Sequence, residues 1–420
     1  MTGYTPERIR FENGERHSVL RAPSGLPVHE VTLYLGKFRT KGLAANTIHF
    51  ACGSIGVLYN SLRAERIDLI QRLREGEFLT APELGRIATA AQYWVKDGEE
   101  EAESMPSTAI NVRRISAKRG RGDADVLKRV VDVQTRASRL RYIADFLGYI
   151  SSYVGTTLQR AQREDLRVET LHALGGFREH IPRISKRAKL GARVGLSVEE
   201  QNRVLAVVHP ESPNNPWVRG FTRRRNWLIV VLLLAIGIRQ SELLGLQLRD
   251  IHADQPKIDI IRRADAPEDA RVSQPNTKTN DRTLEVSASI MRLLLAYVKE
   301  RRAINLARWH PQLIVSDEGD ALSQKSIDKI FRQIRAACPD VSVKITSHVL
   351  RHTWNERFSE QADAIGLSEV EEQRARICQQ GWSDNSKTAA TYTRRHTERK
   401  AQQLSLRIQE DLDGRINGKS

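Results

Sequence analysis

A mainly α-helical protein with one small antiparallel β-sheet, an α+β C-terminal half behind a helical N-terminal region, is the architecture this sequence predicts. Three observations carry it. Apolar residues recur three and four positions apart along most of the chain, the spacing of a helix with one buried face. Alternation marks Lys257-Ile258-Asp259-Ile260-Ile261, and a strand-like run resumes at Thr283-Leu284-Glu285-Val286. Ser or Thr stands ahead of several helical runs, where a side-chain oxygen can cap the first backbone N–H groups.

Residues 1–27 are expected to be irregular, because Pro6, Gly14, Pro23, Gly25 and Pro27 interrupt any pattern. Residues 28–185 form a helical region. Asn46-Thr47 can cap a helix whose inward positions are Ile48, Cys52, Ile55, Leu58, Tyr59 and Leu62. A second helix starts after Thr80 and runs through Leu84, Ile87, Ala91 and Trp94. The stretch 97–122 is acidic (Glu99, Glu100, Glu101, Glu103) and then basic (Arg113, Arg114, Lys118, Arg119, Arg121). With Pro106, Gly120 and Gly122 it reads as a mobile connection or insertion. A long amphipathic helix is expected from about Asp123 to Val154, with Val126, Val130, Val133, Leu140, Ile143, Phe146, Leu147 and Ile150 facing inward.

A basic linker, 186–195, carries Lys186, Arg187, Lys189 and Arg193, with Arg183 just ahead of it and no acidic residue. Ser197 followed three residues later by Glu200 is a capping-box pattern and opens the C-terminal half, 196–397. The apolar run Leu228 to Ile238 is about half of the ~20 residues a membrane span needs, so it reads as a buried helix. The turn-rich segment Pro275-Asn276-Thr277-Lys278-Thr279-Asn280-Asp281-Arg282 joins the two strands and sets Lys278 at or near a hairpin. Helices return after Ser287, Ser323, Thr346 and Ser368. A tail helix in 398–420 carries Leu404, Ile408, Leu412 and Ile416 four apart.

Composition narrows the partner. The 420 residues carry a formal net charge of +16 and a pI of about 10.0, and the basic residues cluster between the apolar segments, which fits a polyanion. Three cysteines, Cys52, Cys338 and Cys378, have no zinc or disulfide spacing, so a reducing, intracellular compartment is expected. No apolar signal-peptide core opens the chain, and membrane and secreted classes are set aside.

The residues with chemical potential lie late in the chain. Arg239 directly follows the apolar helix, where a charge is costly without an anionic partner. Glu242 can be that partner or can aim Arg239 at a phosphate. His348 and Arg351, three apart on one helix, can address a single ligand. His352 falls on another face and reads as a hydrogen-bonded packing histidine. Tyr297 sits among Leu293, Leu294, Leu295 and Val298, so packing explains it. Tyr392 stands in the polar run Thr391-Tyr392-Thr393-Arg394-Arg395 and reads as an exposed nucleophile facing DNA. Two guanidiniums can hold a phosphate in a planar fork while a tyrosine attacks it.

The ordered set Arg239, Lys278, His348, Arg351, Trp382 and Tyr392 resembles the catalytic set of the tyrosine recombinase (phage integrase) family. Gly237-Ile238-Arg239-Gln240-Ser241-Glu242-Leu243-Leu244-Gly245-Leu246 is similar to its first-arginine box, and Ser347-His348-Val349-Leu350-Arg351-His352-Thr353 to its second. The likeness spans roughly 195–396; Gly42-Leu43-Ala44-Ala45-Asn46-Thr47-Ile48 more weakly resembles the family's core-binding domain. Trp382 stands where many members have histidine, and its gap to Tyr392 is one residue longer than usual.

The resemblance implies a helical core-binding domain and an integrase-like catalytic domain forming a C-shaped clamp on double-stranded DNA. It implies that Tyr392 attacks a phosphate to give a 3′-phosphotyrosine, without metal or nucleotide cofactor. Arg239, Arg351 and Trp382 would hold the phosphate oxygens, Lys278 would protonate the leaving oxygen, and His348 would assist proton transfer at Tyr392. It further implies a cytoplasmic protein acting as a tetramer on DNA, coupled through the tail helix, alongside partner recombinases or DNA-bending proteins. DNA-backbone contacts are expected from Arg113, Arg114, Lys118, Arg119 and Arg121 and from the linker. A type IB topoisomerase and a catalytically silent DNA-binding protein are the alternatives.

Overall fold

The computed structural model describes residues 3–93, 129–183, 195–277, 279–383, 389, 392, 401 and 404–410. Two compact units divide the chain, Met1–Lys189 and Leu190–Ser420. Both are helical, and the described strands form one two-stranded and one three-stranded antiparallel sheet.

The first unit opens with a hairpin of β1 (Thr5–Arg10) and β2 (Arg16–Arg21), in register Thr5↔Arg21 to Arg10↔Arg16. This corrects the expectation of an irregular start. Gly14 has φ +87° in the turn, the Asn13 side chain accepts from Glu15 N, and Pro6 sits on β1, where a missing N–H is tolerated in a two-stranded sheet. Asn-Gly between strands is itself a hairpin signal. The hairpin packs on α2 (Ala45–Ala64).

Around it stand α1 (His29–Thr40), α2, α3 (Leu69–Arg74), α4 (Ala81–Ala90), α5 (Val133–Gly155) and α6 (Arg160–Glu179). The expected inward residues of α2, from Ile48 to Leu62, are buried. The helix starts at Ala45 rather than after Asn46-Thr47, and no side chain caps it. Thr80 and Glu83 form the capping box of α4. The long helix expected from about Asp123 begins only at Val133, because Asp132 accepts from Thr135 N and caps it there. Val130 instead bridges Tyr93, while Val126 and Trp94 lie outside the described residues.

The second unit contains α7 (Val198–Val208), α8 (Gly220–Ile236), α9 (Gln240–Gly245), β3 (Ile251–His252), β4 (Lys257–Ile260), β5 (Arg282–Glu285), α10 (Ala288–Ala303), α11 (Gln324–Ala337), α12 (Ser347–Ala364) and α13 (Glu369–Gln380). The Ser and Thr residues seen in the sequence are the N-caps: Ser197, Ser287, Ser323, Thr346 and Ser368 each accept from a backbone N–H of the first turn. Each such cap contributes about 1 kcal/mol. The apolar α8 is the axis of the core and packs on α7, α9, α10 and α12. The strand order is β3-β4-β5, with Ile260 opposite Arg282, so the β4–β5 connection is a long loop rather than a tight hairpin.

Residues 404–410 are helical, with Leu404 and Ile408 exposed; Leu412 and Ile416 lie outside the described residues. Cys52, Cys338 and Cys378 are free thiols. Among the described residues no helix is long and apolar enough to cross a membrane.

Candidate active site

Four chain segments converge in the second unit. The first is the junction of α8 and α9. Gly237 ends α8 in the left-handed region, φ +62°, and a Cβ there would lie 2.5 Å from the Trp354 ring, so only glycine lets α12 come this close. Its carbonyl accepts from Arg351 Nη1 at 2.5 Å. Arg239 follows as the N-cap of α9, and Glu242 reaches back to accept from its backbone N at 2.8 Å.

Glu242 is the electrostatic hub. Its carboxylate accepts from Arg239 Nη1 (3.1 Å), Thr279 Oγ1 (2.6 Å) and Arg282 Nη2 (2.9 Å), with Arg351 Nη1 at 3.9 Å. Burial alone would raise its pKa, yet the Arg282 charge and the bonds from Arg282, Thr279 and the Arg239 backbone hold it at about 2. Glu242 is therefore the anionic partner of Arg239, bonded to both its backbone N and its guanidinium. Replacing it with Gln leaves the buried guanidiniums short of one negative charge and is expected to cost about 3 kcal/mol or more. The depressed folded pKa means that this contribution is present above about pH 4.5 and is lost as pH falls towards about 2. Denaturant melts across that window should show the acid-dependent loss in the parent chain and a flatter profile in Glu242→Gln.

The second segment enters β5. Arg282 donates to Gln379 O (2.9 Å), and Asn280 N donates to Gly381 O (2.8 Å), which ties this loop to the end of α13. Gly381, at φ +62°, permits it, since a Cβ would meet Asn280 O at 2.8 Å. Lys278 lies outside the described residues, as do Arg113, Arg114, Lys118, Arg119, Arg121, Lys186, Arg187, Lys189 and Arg193; Arg183 is described and exposed. Thr277 and Thr279, on either side of Lys278, are buried.

The third segment is α12. Arg351 is only 5% exposed. Its burial, followed by repulsion from Arg239, brings its pKa down to about 9 against the pull of Glu242. Its Nη2 is buried with no hydrogen-bond partner among the described residues. His348, one turn earlier, is exposed.

The fourth segment runs from α13 to Tyr392. Trp382 is 7% exposed, and its Nε1 is likewise buried and unpartnered among the described residues. Its ring lies 5.6 Å beneath the Arg351 guanidinium carbon and stacks with the Tyr392 ring at 6.0 Å and 6°. The expectation of an exposed Tyr392 is corrected, because this ring is 9% exposed. The flanking polar residues hide that fact, since the burial comes from Trp382, Ala389 and Ile377. Tyr392 Oη bonds to His352 Nδ1 at 2.9 Å.

Below the tyrosine, Arg376 is fully buried. It donates to Asn355 O (2.7 Å) and Ser359 Oγ (2.6 Å), pairs with Glu372, and holds its guanidinium carbon 5.6 Å from the Tyr392 ring centroid. Sequence reasoning missed Arg376, Arg282 and the contact of His352. The packing explanation for Tyr297 holds: it is buried, and its hydroxyl accepts from Val315 N at 3.1 Å.

Residues 200–399 match the profile of the phage integrase family. Among solved structures, the chain is similar to XerA recombinase, at 17% identity over 61% of this chain and 77% of that one, with a TM-score of 0.36. It is also similar to XerH site-specific recombinase bound to palindromic difH substrate in a post-cleavage complex (17%, 65% and 78%, TM-score 0.41). A third is the Tn1549 transposon integrase in complex with circular intermediate DNA (14%, 64% and 84%, TM-score 0.39). No curated protein matches the chain. The residues matched by the phage integrase family model, 200–399, include Arg239, Arg351, Trp382 and Tyr392.

Proposed function

We propose that this chain is a site-specific DNA recombinase that cleaves and rejoins duplex DNA through a 3′-phosphotyrosine at Tyr392. One observation carries the reading. Arg351 Nη2 and Trp382 Nε1 are buried donors without partners among the described residues, beside a second guanidinium and a phenol. Unpaired buried donors are costly, and two clustered cations repel; a phosphate oxyanion answers both. In the reaction the phenol oxygen displaces the 5′-oxygen, and the phosphotyrosyl bond retains the energy for rejoining. Arg239, Arg351 and Trp382 meet the charge that develops on the phosphoryl oxygens, and fixed positive charge placed there accelerates phosphoryl transfer more than any other single effect. Lys278 is assigned the protonation of the leaving oxygen.

Residues 28–185 grip DNA as a helical module, with basic stretches at 113–121 and in the linker 186–195, while 196–397 form the catalytic domain. The protein works as a tetramer on double-stranded DNA in the cytoplasm, its exposed 404–410 helix docking on a neighbouring copy.

The test uses a supercoiled plasmid carrying the DNA that flanks the chain's own coding sequence. Denaturing gels should reveal a protein–DNA adduct, and two sites on one plasmid should exchange. Adduct formation should be undiminished in excess EDTA, because the arginines supply the positive charge. Relaxation without exchange assigns a topoisomerase, binding without an adduct assigns a silent DNA-binding protein, and loss in EDTA removes the metal-free mechanism.

A further inference from the structure

The geometry points to His352, rather than His348, as the residue that takes the proton of the attacking tyrosine. This rests on the function proposed above and deepens it. Tyr392 Oη and His352 Nδ1 are 2.9 Å apart, within direct proton-transfer reach, and their ring centroids are 5.5 Å apart. His348 sits one helical turn earlier and is exposed, whereas His352 is half-buried on the face that Tyr392 covers. The phenol is held at this nitrogen from three sides. Trp382 stacks on its ring, Arg376 stands behind it, and Ala389 packs beside it.

Among the described residues two cations border this site, Arg351 and Arg376, and both lower the cost of negative charge developing on the phenol oxygen. Glu372, bonded to Arg376, is the carboxylate of α13 that faces the same layer. A base is needed because a neutral phenol is a weak nucleophile, and an imidazole at neutral pH can accept its proton and return it.

A lone pair of Tyr392 Oη forms the O–P bond, the O–H pair stays on that oxygen, and the proton passes to His352 Nδ1. The P–O5′ pair departs with O5′, which takes a proton from Lys278. Rejoining runs the same transfers backwards, so His352 returns its proton to the phenol. The transfer requires the tautomer in which Nε2 carries the ring proton and Nδ1 accepts from the phenol.

The experiment measures single-turnover adduct formation on a synthetic duplex spanning the cleavage position mapped on the plasmid. His352→Asn keeps a hydrogen-bonding group near Tyr392 but cannot take a proton, and His352→Ala removes both functions. Each is expected to slow cleavage about 100-fold or more, with DNA binding and melting temperature retained in His352→Asn. A duplex with sulfur in place of the leaving 5′-oxygen, which departs without a proton, should not rescue either variant. A fluorinated tyrosine at position 392, whose phenol ionises more readily, should restore much of the lost rate. His352→Asn cleaving at the parent rate, rescue by the 5′-sulfur, or no response to the fluorinated tyrosine would each overturn the assignment. Should His352→Ala fail to melt cooperatively, His352→Asn alone decides. If the parent chain forms no adduct, the recombinase reading falls; a parent adduct with an unaffected His352→Asn sinks only the role of His352.

Discussion

Tyr392→Phe should bind DNA as the parent chain does and form no covalent adduct at all. The phenol oxygen is the only heavy atom removed, and the ring contacts with Trp382 and Arg376 need no hydroxyl. The lost hydrogen bond to His352 Nδ1 is a single one, worth about 1 kcal/mol, too little to unfold the unit. In the proposed mechanism that oxygen is the nucleophile, so the expected loss is complete rather than graded. Gel retardation with a parallel denaturing gel reads both quantities. A Phe variant that still traps DNA would move the nucleophile elsewhere in the chain.

Arg351→Met should separate catalysis from stability. Cleavage should fall about 100-fold or more, because the proposed mechanism places this fixed cation at the phosphoryl oxygens. The unbound protein should melt no lower than the parent chain. The sign follows from the depressed pKa: at about 9 it lies below the ordinary arginine value of 12.5, so at neutral pH burial of this charge opposes folding. That penalty is relieved as pH rises through 9, or when an anion binds. Methionine fills comparable space with no charge, and replacing buried ionic groups with apolar ones is often neutral or stabilising. Added inorganic phosphate should therefore raise the melting temperature of the parent more than that of Arg351→Met, measured by calorimetry. A marked drop in melting temperature for the variant, with an equal phosphate response, would show that Arg351 serves the fold instead.

The arginines of this site divide by their partners. Arg282 and Arg239 share the single negative charge of Glu242, while Arg351 is left with one donor unpaired among the described residues. An excess of buried positive charge is tolerated where a polyanion restores balance.

Much of this was legible along the chain. Caps at Ser197, Ser287, Ser323, Thr346 and Ser368 act within one turn, so local residues announce them. The apolar run of α8 announces burial whatever surrounds it, and the alternation at 257–260 announces a strand. The Asn13-Gly14 hairpin was equally local and was masked only by the prolines and glycines around it.

What the sequence by itself determined is the helical class, the small sheet, the helix starts and the order of the reactive residues, because each depends on neighbours a few positions away. Tertiary structure alone decided that Tyr392 is buried against Trp382, that its hydroxyl meets His352 across 40 positions, and that Glu242 gathers three arginines. Hydrogen bonds and ion pairs act over a few ångströms of space, and chain separation says nothing about that distance until α8, α12 and α13 have packed.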